Sequence, residues 1–184
     1  PQPSASAFVT SWRHAVIQFP HPLLEQGLVI LDTPGLNAIG AEPELTLNLL
    51  PNAHAVLFIL AADTGVTQSD LAVWREHVNA GRRQRGRIVA LNKIDGLWDG
   101  LRSEADIERE IAGQVASVAA TLEIEPDQVY PVSAQKGLVA KVNDDSELLE
   151  RSRLLQLERA LSTELLPTKR DIVRDNTYGD VTDI

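Results

Sequence analysis

Three short apolar runs of strand type in this sequence each end in a group of polar or small residues. The runs and the residues that follow them are 28–31 before Asp32, 87–91 before Asn92 and 128–132 before Ser133. In an open parallel sheet, ligands bind outside the carboxyl ends of the strands. We therefore expect the three groups to converge on one crevice, which is the candidate binding site.

The first group is Asp32-Thr33-Pro34-Gly35, at the end of the segment LVILDTPG. An aspartate at a strand end is suited to hold magnesium through its water shell, because this ion dehydrates reluctantly and uses few protein carboxylates. The glycine that follows leaves its amide open to a terminal phosphate. The same residue types are common in ordinary turns, so a structural turn is the alternative interpretation. Thr33 and Gly35 are the candidate switch residues for catalysis.

The second group, Asn92-Lys93-Ile94-Asp95, has more specific chemistry. A carboxylate such as that of Asp95 accepts two parallel hydrogen bonds from a planar edge with two donors. The N1–H and exocyclic amine of guanine form such an edge, whereas adenine has an acceptor at N1. Asn92 is suited to tie the loop together and reach the purine, and the aliphatic stem of Lys93 to lie along the base. The alternative interpretation is a polar strand end leading into a turn.

The third group, Ser133-Ala134, offers a small residue whose backbone amide can donate to guanine O6, with the serine bracing the loop. This pair is nearly uninformative by itself. It gains weight from the order of the three groups along the chain, which is a phosphate loop, a carboxylate loop for the base and an amide loop for the base.

Strand-type runs alternate with helical patterns along most of the chain, which predicts an α/β fold with a mostly parallel sheet and helices on both faces. Residues 14–20 and 28–31 are expected to pair as an antiparallel hairpin, with residues 14–20 as the edge strand. Residues 55–62 are apolar on both faces, as in a central strand. A leucine-rich helix is expected over residues 146–166 and a short helix over 44–50.

The charge balance and the lack of cysteine exclude several classes of site. The sequence has 17 Lys and Arg against 26 Asp and Glu, a net charge of −9, so we expect no nucleic-acid partner. Because there is no cysteine, disulfides and thiolate metal sites are excluded. The longest apolar run, residues 55–62, is too short to span a bilayer. These features predict a cytoplasmic protein.

At the three groups the chain resembles the translation-factor-like GTPases, whose sequence boxes are DxxG, NKxD and SA. It is more similar still to the GTPase domain of the dynamin superfamily, particularly bacterial dynamin-like proteins. The stretches that carry the resemblance are LLEQGLVILDTPGLN, AVLFILAADTGVTQSD, NKIDGLWDG and YPVSAQKG. It extends from about residue 17 to about residue 170, most of the chain.

The resemblance implies a P-loop GTPase fold that binds GTP or GDP with magnesium. Asp32 would serve magnesium and Gly35 the γ-phosphate. The base would be read by the later groups, with Asn92, Lys93 and Asp95 on guanine and Ser133 with Ala134 on its O6. Members of the family hydrolyse GTP and couple hydrolysis to dimerisation and membrane remodelling. We therefore expect a homodimer through the GTPase face, and a parent protein that is peripheral at the membrane through regions outside this chain.

One motif of that family does not occur in the sequence. GxxxxGK[ST], which holds the phosphates in P-loop GTPases, is absent, as is methionine. We therefore expect residues 1–184 to be the C-terminal portion of a dynamin-like GTPase domain, an incomplete P-loop GTPase fold. Residues 1–13 would be a flexible lead-in and residues 168–184 a tail towards a helical domain.

The missing motif has consequences for the sheet and for activity. By analogy with the family, the strand before the P-loop would lie between residues 28–31 and 55–62, and the isolated chain is expected to be inactive. Two alternatives stay open. One is a non-catalytic interaction domain that kept the GTPase fold without a P-loop, and the other is a GTPase of another translation-factor-like branch.

Overall fold

The computed structural model describes residues 16–32, 53, 55–79 and 86–165. The chain divides into two compact units, Pro1–Ile30 and Leu31–Ile184. In the first unit the described helix is α1, Pro22–Glu25. His21 caps it, because its Nδ1 accepts a hydrogen bond from the amide of Leu23 at 3.3 Å. The expected short helix over residues 44–50 lies outside the described residues.

The second unit contains a parallel sheet of three strands in the order β1, β2, β3. The strands are β1, Val56–Ala61; β2, Arg87–Asn92; and β3, Val129–Pro131. Leu91 of β2 pairs with Leu60 on one side and with Pro131 on the other. The carboxyl ends of the three strands therefore lie at the same edge, as the sequence predicted for the second and third groups.

Helices connect and follow the strands. The α-helices are α2, Gln68–Val73; α3, Glu104–Leu122; α4, Ala134–Val142; α5, Ser146–Ser152; and α6, Leu154–Ala160. π-helical turns at Trp74–Val78 and Leu161–Leu165 extend α2 and α6, and 3₁₀ turns occupy Ile94–Leu97 and Pro126–Gln128. No helix in the described ranges is both long enough and apolar enough to cross a bilayer.

Alternating residues of β2 build one core on each face of the sheet. Val89 and Leu91 belong to a cluster with Trp74 and the buried side of α3, and Ile88 and Ala90 belong to a second cluster with α6. This division follows from the strand geometry, in which successive side chains point to opposite faces. The prediction of an α/β fold with helices on both faces is confirmed.

The predicted hairpin at the start of the chain is wrong for the described residues. Neither residues 16–20 nor residues 28–32 form a strand. The apolar side chains of residues 28–31 are largely exposed, Val29 by 86%. An apolar pattern produces a buried strand only where a neighbouring strand satisfies its backbone groups, and the structure shows no such partner among the described residues.

Residues 55–62 were expected to lie beside a strand from outside this chain, so their central position stays a prediction for the described sheet. β1 is its edge strand, with β2 on one side and no described strand on the other, and Ile59 is 61% exposed.

The expected single helix over residues 146–166 is interrupted at Arg153. This residue has a φ of 58°, so α5 ends there and α6 begins at the next residue. The sequence did not predict α4 either. Both features depend on packing between α4 and the α5–α6 junction, which is described below.

Hydroxyl residues cap the starts of two helices. Thr67 and Asp70 form a reciprocal capping box at α2, and the side chain of Ser103 accepts a hydrogen bond from the amide of Asp106 at α3. Such caps depend only on residues within one helical turn. They can therefore be recognised without knowing the tertiary structure.

Replacing Ser103 with alanine is expected to lower the free energy of unfolding by about 1 kcal/mol, because α3 loses its N-cap. The Ser103 hydroxyl also donates to Asp106 at 2.6 Å, and this bond is the main cause that lowers the pKa of Asp106. A carboxyl with a lowered pKa stabilises the fold above its unfolded pKa, and this contribution is lost as the pH falls through the folded pKa. Denaturant unfolding of the unsubstituted protein and of Ser103→Ala should therefore show a difference in the free energy of unfolding that becomes smaller in acid. If the difference in the free energy of unfolding is the same in acid as at neutral pH, the carboxylate of Asp106 does not contribute to it.

Candidate functional site

The side-chain amide of Asn92 ties together the loops that follow β2 and β3. Its Oδ1 accepts hydrogen bonds from the backbone amides of Lys93 at 2.8 Å and of Ala134 at 3.1 Å. Because backbone amides only donate, these two bonds determine which end of the side-chain amide is the oxygen. Nδ2 of Asn92 is therefore the donor end of this side chain.

A second bond joins the same loops through Ser133 and Asp95. Ser133 is completely buried, and its hydroxyl donates to Oδ1 of Asp95 at 2.6 Å while it accepts from the amide of Lys136 at 3.3 Å. The serine thus caps α4 and orients the carboxylate at once. Oδ2 of Asp95 has no hydrogen-bond partner in the described part of the chain, so this oxygen is available to a ligand that presents donors.

Lys93 lies between these residues in a strained backbone conformation. Its φ of 68° is left-handed, which is unfavourable for a residue with a Cβ atom and turns the chain from β2 into the 3₁₀ turn that carries Asp95. The ammonium group is 3.8 Å from Oδ2 of Asp63, and both side chains are 63% exposed. An ion pair this exposed contributes little stability, so the lysine stem is free to move over a ligand.

The first predicted group is not joined to these loops by any described contact. Asp32 is exposed, and no hydrogen bond or ion pair of the described residues links it to the Asn92 or Ser133 loop. Thr33 and Gly35 lie outside the described residues. Nor do residues 16–32, 53, 55–79 and 86–165 contain a group of three His, Cys, Asp or Glu side chains that could hold a metal ion. The structure therefore brings together the second and third groups.

No protein-family model matches the chain, but the chain is similar to several GTPases. A bacterial dynamin-like protein from Nostoc punctiforme is 32% identical over 89 residues, 48% of this chain and 12% of that protein. A chloroplastic FZO-like transmembrane GTPase from Arabidopsis thaliana is 31% identical over 132 residues, 71% of this chain and 14% of that protein. The fold is similar to that of LeoA, a bacterial dynamin GTPase from ETEC, with a TM-score of 0.52 and 20% identity, over 76% of this chain and 28% of that one.

The chain belongs to the dynamin superfamily of GTPases. It spans only 12% and 14% of the length of the two relatives named above. The sheet and flanking helices of this dynamin-superfamily chain correspond to part of an α/β GTPase fold.

Sequence reasoning missed one donor of this dynamin-superfamily chain, the backbone amide of Gln135. The Ala134 amide was expected to face a ligand oxygen, but the structure pairs it with Asn92. The Lys136 amide bonds to the hydroxyl of Ser133. The Gln135 amide between them has no hydrogen-bond partner among the residues that the structure describes. The signal was present in the sequence, since a serine that caps a helix predicts amides without intrahelical partners in the first turn.

Proposed function

We propose that this chain supplies guanine recognition and part of the phosphate site of a domain that binds and hydrolyses GTP. The observation that carries the proposal is the pair of hydrogen bonds that link the two base loops. Asn92 bonds to Ala134 across 42 positions of sequence and Asp95 to Ser133 across 38. An ordinary turn at the end of a strand does not require contacts of this range, whereas a site that reads a planar base from two sides does.

Each edge of guanine has a complementary group in this arrangement. The carboxylate of Asp95 is matched to the N1–H and the exocyclic amine, and Nδ2 of Asn92 is matched to the N7 acceptor. Because the Ala134 amide is bonded to Asn92, the amide of Gln135 is matched to O6, and the stem of Lys93 covers the ring. Adenine would place its N1 acceptor against the carboxylate and its amine against this amide. The proposed site therefore selects guanine by repulsion of adenine as well as by attraction.

The phosphate half of the proposed site uses the first group. Asp32 is exposed and is a single carboxylate, which suits magnesium held through water, since this ion keeps several waters and binds phosphates as well. The ion, when bound, would neutralise phosphate charge. The amide of Gly35 would meet the γ-phosphate, with Thr33 in the same switch segment. We propose that sequence upstream of Pro1 supplies the P-loop, so that residues 1–184 are the C-terminal portion of the domain.

In the whole protein we propose that GTP is hydrolysed to GDP and phosphate. We propose, on the resemblance given by the sequence motifs, that hydrolysis is coupled to homodimerisation through the GTPase face and to membrane remodelling by regions outside this chain. The protein would then be cytoplasmic and peripheral at the membrane. Residues 168–184 would lead towards a helical domain, and residues 1–13 would link the chain to the P-loop segment.

Nucleotide selectivity tests the proposal. We expect the protein extended upstream through a P-loop to bind GTP at least about 100-fold more tightly than ATP, because two charged hydrogen bonds and their repulsive counterparts separate the two bases. The isolated chain of 184 residues should bind both weakly. Isothermal titration with each nucleotide in the presence of magnesium measures the ratio. Equal affinity for ATP and GTP in the longer protein would refute the assignment of Asp95.

A non-catalytic interaction domain is the second candidate, and the lack of GxxxxGK[ST] in the sequence favours it. The two candidates differ in turnover rather than in fold. Release of phosphate from GTP by the upstream-extended protein, abolished by substitution of the P-loop lysine, supports the GTPase. Absence of turnover together with absence of GTP binding supports the interaction domain.

A further inference from the structure

The junction between α5 and α6 contacts the back of the Ser133 loop. We call Arg151, Ser152 and Arg153 the 151–153 turn. The amide of Ser133 donates to the carbonyl oxygen of Ser152 at 2.9 Å, and both serines are completely buried. The carbonyl of Ser152 ends α5 and has no partner within that helix, as is usual for the last four carbonyls. The unpaired carbonyl at the end of α5 thus binds Ser133, which orients Asp95.

Arg151 connects the same turn to the other base loop. Its guanidinium lies 4.5 Å from the ring centroid of Trp98, and Nη2 is 2.6 Å from the carboxylate of Glu104 at the start of α3. Trp98 directly follows the 3₁₀ turn that contains Asp95. A cation over an aromatic ring is attracted to its face, so the turn contacts both loops of the proposed base site.

Arg153 holds the turn in its sharp conformation. Its φ of 58° is left-handed, which is disfavoured for a residue with a Cβ atom. Its guanidinium is paired with the carboxylate of Glu108 on α3, and only 19% of its side chain is exposed. A strained backbone persists where its surroundings over-determine it, and this ion pair is one such restraint.

Gly137 brings α4 close to the turn. A Cβ atom at this position would lie 2.7 Å from both Cβ and Cδ2 of Leu154 and 3.0 Å from Oγ of Ser152. Real Cβ atoms essentially never approach other atoms at less than 3.0 Å, so a side chain here must separate α4 from the junction. Because Ser133 caps α4, such a shift would be transmitted directly to the Ser133 loop.

We propose that the 151–153 turn is a positioning element that sets the spacing between the Asp95 carboxylate and the amides of the Ser133 loop, and so sets selectivity for guanine. This inference rests on the proposed function. The turn does not touch the base. It acts through the Ser133 amide on one side and through Trp98 on the other.

The test compares two substitutions of a helical glycine by alanine in the longest natural protein that contains this sequence. Gly137→Ala is expected to lower the ratio of GTP to ATP affinity by about fivefold to tenfold, the effect of losing one hydrogen bond. The amide of Ser133 should also exchange its hydrogen faster. Gly113→Ala is the matched control, because nothing lies within 4 Å of the added Cβ and selectivity should not change.

A second-site variant separates positioning from general destabilisation. Leu154→Gly removes the atoms that collide with the alanine. The double variant Gly137→Ala with Leu154→Gly should therefore recover most of the lost selectivity while its thermal stability falls further. A purely structural effect of Gly137→Ala would instead make selectivity and stability fall together.

The outcomes distinguish this inference from the function on which it rests. No preference for GTP in the unsubstituted protein would overturn both. A clear preference for GTP that Gly137→Ala leaves unchanged, with Ser133 still protected from exchange, would overturn only the role of the turn. Loss of selectivity in Gly113→Ala as well would also overturn it.

Discussion

Replacing Asp95 with asparagine is expected to reverse the base preference of the upstream-extended protein from guanine to xanthine. Oδ1 of asparagine still accepts the bond from Ser133, which the aspartate accepts at 2.6 Å. The amide nitrogen then takes the place of the free Oδ2. A donor at this position repels the exocyclic amine of guanine and is matched to the C2 carbonyl of xanthine. Loss of two charged hydrogen bonds predicts a fall of about 100-fold in GTP affinity, measured by titration with GTP and XTP.

Asp127→Asn is the control for this substitution. This substitution removes the same charge, but Asp127 is exposed at the amino end of β3, opposite the base loops. The affinity of the Asp127→Asn protein for GTP should equal that of the unsubstituted protein. If Asp95→Asn keeps full preference for GTP over XTP, the carboxylate does not read the base and the proposed function loses its main support.

Replacing Trp74 with alanine is expected to lower the free energy of unfolding by about 3–5 kcal/mol, the range for a large aromatic residue in a core. Trp74 is 1% exposed, its Nε1 donates to the carbonyl of Leu122 at 3.0 Å, and its ring centroid lies 5.3 Å from that of Phe58. The substitution leaves a cavity and a buried carbonyl without a donor. Urea unfolding followed by circular dichroism measures the loss.

Two further variants show which part of the Trp74 effect is packing. Trp74→Phe keeps an aromatic ring but loses the indole donor, so it should cost about 1–3 kcal/mol, the penalty for an unsatisfied carbonyl. Leu138→Ala removes a large apolar side chain that is 63% exposed, and it should change stability by no more than about 0.5 kcal/mol. Equal losses for Trp74→Ala and Leu138→Ala would contradict the central place of Trp74 in the core.

Local features of the fold could be predicted from sequence because their causes lie within a few residues. The caps at Thr67 and Ser103 follow from hydroxyl and carboxylate residues one helical turn apart. Ile107 and Ile111 are buried on one side of α3, because apolar residues at helical spacing share one face of a helix. The strand β2 was predicted within one residue of its observed end at Asn92.

The positions of strands within the sheet could not be predicted in the same way. Residues 28–31 and 55–62 are similarly apolar, yet the first stretch is largely exposed and forms no strand, while the second contains the strand β1. A run of apolar residues favours burial and strand geometry. Which strand lies beside it depends on partners that are distant in sequence.

The break at Arg153 shows the same limit within a helix. The leucine spacing on both sides of Arg153 continues a helical period, so the pattern contains no signal for a stop. The interruption depends on the pairing of Arg153 with Glu108 and on the close contact of Leu154 with Gly137. Both contacts join elements that the sequence does not show to be neighbours.

The sequence by itself determined the chemical groups of the base site and their places at strand ends, because residue type and apolar period are local properties. Only the tertiary structure decided how these groups are held. It paired Asn92 with Ala134 and Asp95 with Ser133, and it bonded the carbonyl of Ser152 to the amide of Ser133. It left the amide of Gln135 without a partner among the residues that the structure describes. Hydrogen bonds between loops depend on the packing of α4 against the α5–α6 junction, and packing across tens of residues is a property of the folded chain.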